Sequence, residues 1–166
     1  MNYRRLFIPN SMVFLTIVTK NRLPILVENI DFLKTALFNT MKIYKFHLFA
    51  YTIQIDHIHC IIKPKIINDY SNIIKSFKYS FSKNYKKQYS ICINVWQNRF
   101  WEHTIRDKID LKLHLDYIHY NSMKHSNISP KDWQFSSFYK FVKHNVYDIN
   151  WCNFIDAQNI TSLYFE

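Results

Sequence analysis

An α+β fold is predicted, with the ferredoxin-like order βαββαβ: an antiparallel sheet with helices on one face, plus an appended helix toward the C-terminus that carries Tyr117. Three observations predict it. Short runs rich in β-branched and aromatic residues are bounded by Pro, Asn and Asp; longer segments between them repeat apolar residues every three to four positions; and the two kinds alternate in that order. The chain has 166 residues, 48% of them hydrophobic and 18% aromatic, which suits one packed domain. We place it at residues 1–152, with 153–166 as a C-terminal tail.

Residues 13–19 have strand composition, between Pro9-Asn10 and Asn21-Arg22-Leu23-Pro24. Asp31 precedes Leu33, Ala36, Leu37, Met41 and Tyr44, one apolar stripe on a helix over 30–45. Residues 46–54 and 57–63 read as strands joined by a hairpin at Asp56, the second stopped by Pro64. A second helix, 71–88, aligns Ile73, Phe77, Phe81 and Tyr85, with most of its lysines elsewhere around the axis. Residues 91–96 and 99–105 read as short strands around a Gln97-Asn98 turn. The third helix starts near Asp107 to Asp110, carries Leu111, Leu115, Ile118 and Ser122 on an inner stripe, and ends at Lys124-His125. From Pro130 on, Trp133, Phe135, Phe138, Phe141 and Trp151 make the chain too aromatic to be free, so it should wrap the core.

Net charge is +10, from 22 Lys and Arg against 12 Asp and Glu. A polyanion, nucleic acid first, is the favoured partner, although surplus lysine that only keeps an aromatic protein in solution explains the same count. No apolar run approaches the roughly 18 residues of a membrane span, and the N-terminus lacks a signal-peptide core, so a soluble intracellular protein is expected. Cys60, Cys92 and Cys152 are odd in number and far apart, which favours reduced thiols. The chain has no glycine, so Asn must supply left-handed turn positions.

The sharpest local feature is Asp56-His57-Ile58-His59-Cys60-Ile61-Ile62-Lys63-Pro64. On a strand, His57 and His59 project to one face while Ile58, Cys60 and Ile62 enter the other, so two imidazoles are offered side by side to a divalent metal. Such a pair also arises by chance, and the pattern alone leaves a non-ligand reading open. On the third helix His114, Tyr117 and Asn121 share one face, a polar triplet that could lean over a sheet edge or groove beside the histidines. A rim tyrosine with two surface polar neighbours is the plainer reading.

The segments Thr16 to Arg22, Asp56 to Pro64, Val95 to Asp107, Tyr117-Ile118-His119-Tyr120-Asn121, and Asp132-Trp133 through Ser136-Ser137-Phe138 follow one another in an order that resembles the REP-associated tyrosine transposases, members of the HUH single-tyrosine transposase superfamily. The likeness spans roughly residues 12 to 151. It departs at Ser122, where the family usually has Pro, and at Ser126, where it has Gly. The resemblance implies a metal-dependent endonuclease and strand transferase acting on single-stranded DNA, at hairpin-forming repeats. It implies Tyr117 as nucleophile, His57, His59 and Asn121 as ligands to Mg²⁺ or Mn²⁺, and a 5′-phosphotyrosine intermediate with a free 3′-hydroxyl. A cytoplasmic, nucleoid-associated protein of prokaryotic type follows, with monomer and homodimer both open.

His114 could assist proton removal from the phenol, or be a helical histidine without chemical duty. Asp56 could orient a ligand imidazole but reads first as a turn residue. Lys63, Lys78, Arg99, Arg106 and Lys124 are candidate phosphate contacts, each taken alone reading first as a solvated surface charge. Glu102 and His103 carry no assigned role. The rival functions are a non-catalytic nucleic-acid-binding module of the same fold, and a small metal-dependent hydrolase that uses water in place of Tyr117.

Overall fold

The computed structural model describes residues 8–66 and 69–152. Its strands are β1 (Val13–Val18), β2 (Phe46–Ile53), β3 (His57–Pro64) and β4 (Trp101–Thr104), arranged β2-β3-β1-β4 and antiparallel at every pairing. Helix α1 (Ile30–Ile43) connects β1 to β2, and α2 (Tyr70–Tyr89) connects β3 to β4. This is the expected ferredoxin-like order, with β1 and β3 side by side in the centre. Helix α3 (Lys108–Ser126) and the short α4 (Phe138–Lys143) follow.

Strand alternation builds two cores. Val13, Leu15 and Ile17 of β1, with Ile58, Cys60 and Ile62 of β3, pack under Leu33 and Ala36 of α1 and Ile73, Ile74 and Phe81 of α2. Phe14 and Ile61 point the other way, into a core with Leu115, Tyr117, Ile118, Phe138 and Phe141. The first pair of helices therefore covers one face of the sheet, and α3 with the C-terminal segment covers the other. That segment wraps as expected: Ile53 N–H donates to Phe135 O and Ser137 N–H to Tyr51 O, so it runs along the outer edge of β2.

Two expectations are corrected. Residues 91–95 form no strand; only Trp96 bridges to Thr19, and β4 begins at Trp101, so the edge of β1 is shared between one bridge and one short strand. The polar triplet of α3 does not lean over an edge: His114, Tyr117 and Asn121 are 2%, 1% and 0% exposed. The reason is that α3 is packed on two sides. Phe14 and His59 of the sheet meet Tyr117, while Phe138, Phe141 and Tyr147 close around His119.

Asn does replace glycine at turns. Asn10, Asn21, Asn127 and Asn145 all take positive φ, and Asn127 ends α3 with its N–H on Met123 O. The start of α3 is capped by Asp107, whose carboxylate accepts from Asp110 N–H at 2.8 Å. The expected tail 153–166 lies outside the described residues. Among the described residues no helix is long and apolar enough to cross a membrane.

Candidate active site

β3 delivers His57 and His59 to the α3 face of the sheet, because the alternation that buries Ile58 and Cys60 beneath α1 and α2 aims the odd-numbered side chains the other way. Their rings are 4.9 Å apart, centre to centre, and 2% and 0% exposed. Each is gripped through Nδ1: His57 by Asp56 Oδ1 at 2.5 Å, His59 by Thr16 Oγ1 at 2.8 Å from its pairing partner on β1. A carboxylate only accepts, so Nδ1 of His57 carries a proton, and Nε2 is the ring nitrogen turned toward α3. Asp56 lies below the ordinary carboxylate pKa: burial pushes it up, and the hydrogen bond and charge of His57, then of Arg22, more than offset that.

α3 brings the other two groups. Asn121 Oδ1 stands 3.2 Å from His57 Nε2, and the Tyr117 ring lies edge-on to His59 at 5.0 Å. The i to i+4 spacing of Tyr117 and Asn121 places both on the helix face that meets β3, one beside each histidine. Lys124, one turn further on, holds its Nζ 5.4 Å from the centre of the Tyr117 ring, and His125 packs on His57 at 4.7 Å.

The donor set suits a divalent cation. Nε2 of His57 and Oδ1 of Asn121 both present lone pairs, and Asn121 Nδ2 is buried with no hydrogen-bond partner among the described residues. A divalent cation seated between them would be held by Nε2 and Oδ1 together. The separation of 3.2 Å is close to the roughly 3 Å between neighbouring ligands around an octahedral ion with bonds of about 2.1 Å. Imidazole nitrogens and an amide oxygen are ligand types that divalent metal ions accept.

A second cluster, His103, Asp110 and His114, gathers its ligand atoms within 4.8 Å. Its imidazoles are stacked at 4.6 Å with planes only 13° apart. Lone pairs lie in the ring planes, so these two run side by side and do not converge on one ion. The cluster is instead a hydrogen-bonded brace for the start of α3: His103 Nε2 donates to Asp110 Oδ2 at 2.8 Å, which also accepts Arg106 N–H at 2.9 Å. His114 Nδ1 bonds Asp110 O at 2.8 Å, so its ring is turned to this brace; burial lowers its pKa.

The candidate phosphate contacts separate by position. Lys124 lies at the site. Arg99 is exposed in the loop before β4, at the end of the sheet where Thr16 sits between Trp101 and His59. Lys63 is exposed on the histidine face of β3 but four residues beyond His59, roughly 13 Å away. Arg106 reaches toward Asp110, with Nε at 3.6 Å. Lys78 belongs to α2, on the opposite face; its Nζ donates to Gln97 O at 2.7 Å, and burial draws its pKa down to about 8. An apolar cavity of about 540 Å³ lined by Leu33, Leu48, Ile58 and Ile73 also lies on that face, away from the imidazoles.

Sequence reasoning missed Thr16 and undervalued Asp56. Thr16 shares its strand face with Phe14 and pairs with His59, a relation only the β1–β3 register reveals. Asp56 does sit in the tight connection between β2 and β3, as the favoured reading had it, and its side chain also turns onto His57, as the other reading allowed.

A family model described as Transposase IS200 like matches residues 8–121. A relative in Haemophilus influenzae is 37% identical over 162 residues, covering 90% of this chain and 92% of its own length. The REP-associated tyrosine transposase of Escherichia coli strain K12 is 32% identical over 152 residues, covering 90% of this chain and 89% of its own length. A solved structure of the REP-associated tyrosine transposase bound to a REP hairpin superimposes with a TM-score of 0.81 at 30% identity, covering 92% of each chain.

Proposed function

The chain belongs to the REP-associated tyrosine transposases of the IS200-like family, and from that premise we propose that it cuts and rejoins single-stranded DNA at hairpin-forming repeats, with Tyr117 as the nucleophile. The observation that carries the reading is the convergence of Tyr117 and Asn121 from α3 onto His59 and His57 from β3. The hairpin substrate is drawn from the solved relative, which is described as bound to one.

The phenol oxygen of Tyr117 attacks a backbone phosphorus as its proton is lost. The bond from phosphorus to the DNA 3′-oxygen breaks, and that oxygen leaves and is protonated to a 3′-hydroxyl. A 5′-phosphotyrosine bond holds the other fragment. Because one phosphodiester replaces another, attack by a second 3′-hydroxyl reverses the step without ATP. His57, His59 and Asn121 are the residues to hold Mg²⁺ or Mn²⁺, which when bound supplies Lewis-acid polarisation of the phosphate. Asp56 and Thr16 keep the imidazoles in place through Nδ1. Tyr117 is 1% exposed, so a strand reaches it only after the side chains over its ring, Lys124 among them, move aside. Of the candidate phosphate contacts, Lys124 is the one that stands over the nucleophile, and Lys63, Lys78, Arg99 and Arg106 lie farther from it. Such a protein acts where DNA is exposed, in the bacterial cytoplasm at the nucleoid.

The test is incubation of the protein with end-labelled hairpin DNA carrying a single-stranded flank, with Mn²⁺. A denaturation-resistant protein–DNA adduct is expected, and it should vanish in Tyr117→Phe. Binding without adduct across varied flanks and metals would favour the non-catalytic module. Turnover that survives Tyr117→Phe but not His57→Ala would favour a water-using hydrolase.

A further inference from the structure

We infer that Arg22 and Asp56 are positioning residues for His57: Arg22 anchors the Asp56 carboxylate, and that carboxylate fixes which imidazole nitrogen His57 presents to the cation. The inference deepens the metal-site reading above and rests on it. The two carboxylate oxygens are divided between two partners. Oδ1 takes His57 Nδ1 at 2.5 Å, and Oδ2 takes Arg22 Nη1 at 3.2 Å. With Oδ2 engaged by Arg22, the carboxylate is biased toward the ring, which favours the tautomer and ring angle that leave Nε2 facing Asn121 Oδ1.

The backbone is shaped to make this contact. Asn21 and Arg22 have φ of 53° and 52°, a left-handed conformation that is unfavourable for a residue with a Cβ, and these two successive residues turn the chain back toward the β2–β3 connection. Thr19, fully buried, stitches the turn to Asp56. Its N–H donates to Asp56 O at 2.9 Å, and its hydroxyl is shared between Leu23 O at 2.9 Å and Asp56 O at 3.0 Å. Asp56 is thus held at its backbone by Thr19 and at its side chain by Arg22. The Arg22 side chain is 51% exposed, so as a surface ion pair it adds little to stability. A strained backbone that delivers a contact of small energetic worth beside a ligand points to positioning.

The experiment uses the full chain, with Asp56→Ala, Asp56→Asn, Arg22→Ala and Arg22→Lys, and His57→Ala as control. Two quantities are read: the ¹⁵N signals of the His57 ring in metal-free protein, and Mn²⁺ affinity by electron paramagnetic resonance. The parent should show the Nδ1–H tautomer. Asp56→Ala should mix tautomers and weaken Mn²⁺ binding roughly 10- to 100-fold. Asp56→Asn, which keeps an acceptor oxygen, should recover part of both. Arg22→Ala should produce a smaller loss that Arg22→Lys partly restores; being half exposed, it keeps the test decisive if Asp56→Ala does not fold. An Nε2–H tautomer in the parent, or folded variants that bind Mn²⁺ like the parent, would overturn the inference alone. If the parent fails to bind Mn²⁺, or His57→Ala binds it equally well, the metal-site reading falls and the positioning role falls with it.

Discussion

His57 Nε2 and Asn121 Oδ1 stand 3.2 Å apart, an imidazole from the central β3 and an amide from α3 that meet 64 residues apart in sequence. If both are ligands, saturating Mn²⁺ should raise the melting temperature of the parent by mass action. Asn121→Ala should blunt that rise, with an affinity loss of at least roughly tenfold. A Mn²⁺-induced shift as large in Asn121→Ala as in the parent would remove Asn121 from the site.

The side chain of Ser122 has a structural use in this chain. Its hydroxyl donates to Ile128 O at 2.9 Å from a position 1% exposed, tying the last turns of α3 to the chain beyond Asn127. Ser122→Ala should cost about 1 kcal/mol in urea unfolding. No loss would mean that the bond is replaced by water or does not form.

The Asp110 brace predicts an acid-sensitive component of stability. Burial pushes the Asp110 pKa up, but the His103 hydrogen bond, the Arg106 N–H and the neighbouring histidine charges bring it below its ordinary value. A carboxylate with a depressed folded-state pKa stabilises the fold fully above its unfolded value near 4, and loses that contribution as pH falls through the folded value. The stability gap between the parent and Asp110→Asn should therefore be open at neutral pH and close below about pH 4. A gap that stays open well below that point would contradict the brace.

Lys78 gives the opposite test at alkaline pH. Its folded-state pKa, drawn down by burial to about 8, lies below the ordinary 10.5, so the unfolded chain binds more protons between the two. Charged Lys78 burdens the fold below about pH 8, and the burden lifts as pH rises toward 10.5. Relative to Lys78→Met, the parent should gain stability across that window. Parallel pH profiles would show the amine to be better solvated than its contact with Gln97 O implies.

Much of this was legible before any coordinates. Period-two alternation placed His57 and His59 opposite Ile58 and Cys60, and the four-residue steps of Ile73, Phe77 and Phe81 placed α2, because both patterns are imposed by one-sided burial. The shared face of His114, Tyr117 and Asn121 was equally readable. Its burial was not, since local periodicity shows which residues share a face but not that the aromatic segment after Pro130 seals α3 from behind. Thr16 and Arg22 stayed hidden for a related reason: each touches the site through a contact more than 30 residues away in sequence, set by strand register or by a left-handed turn. Residues 91–95 looked like a strand by composition, yet a strand needs a partner edge, and β4 takes the edge of β1.

The most direct test of the central claim is to digest the adduct formed on hairpin DNA with Mn²⁺ and locate the nucleotide by mass spectrometry, while assaying the released fragment for its 3′ end. The account predicts a 5′-phosphonucleotide on Tyr117 and a free 3′-hydroxyl on the other fragment. A nucleotide on Tyr120 or another side chain, or a product bearing a 3′-phosphate, would contradict it.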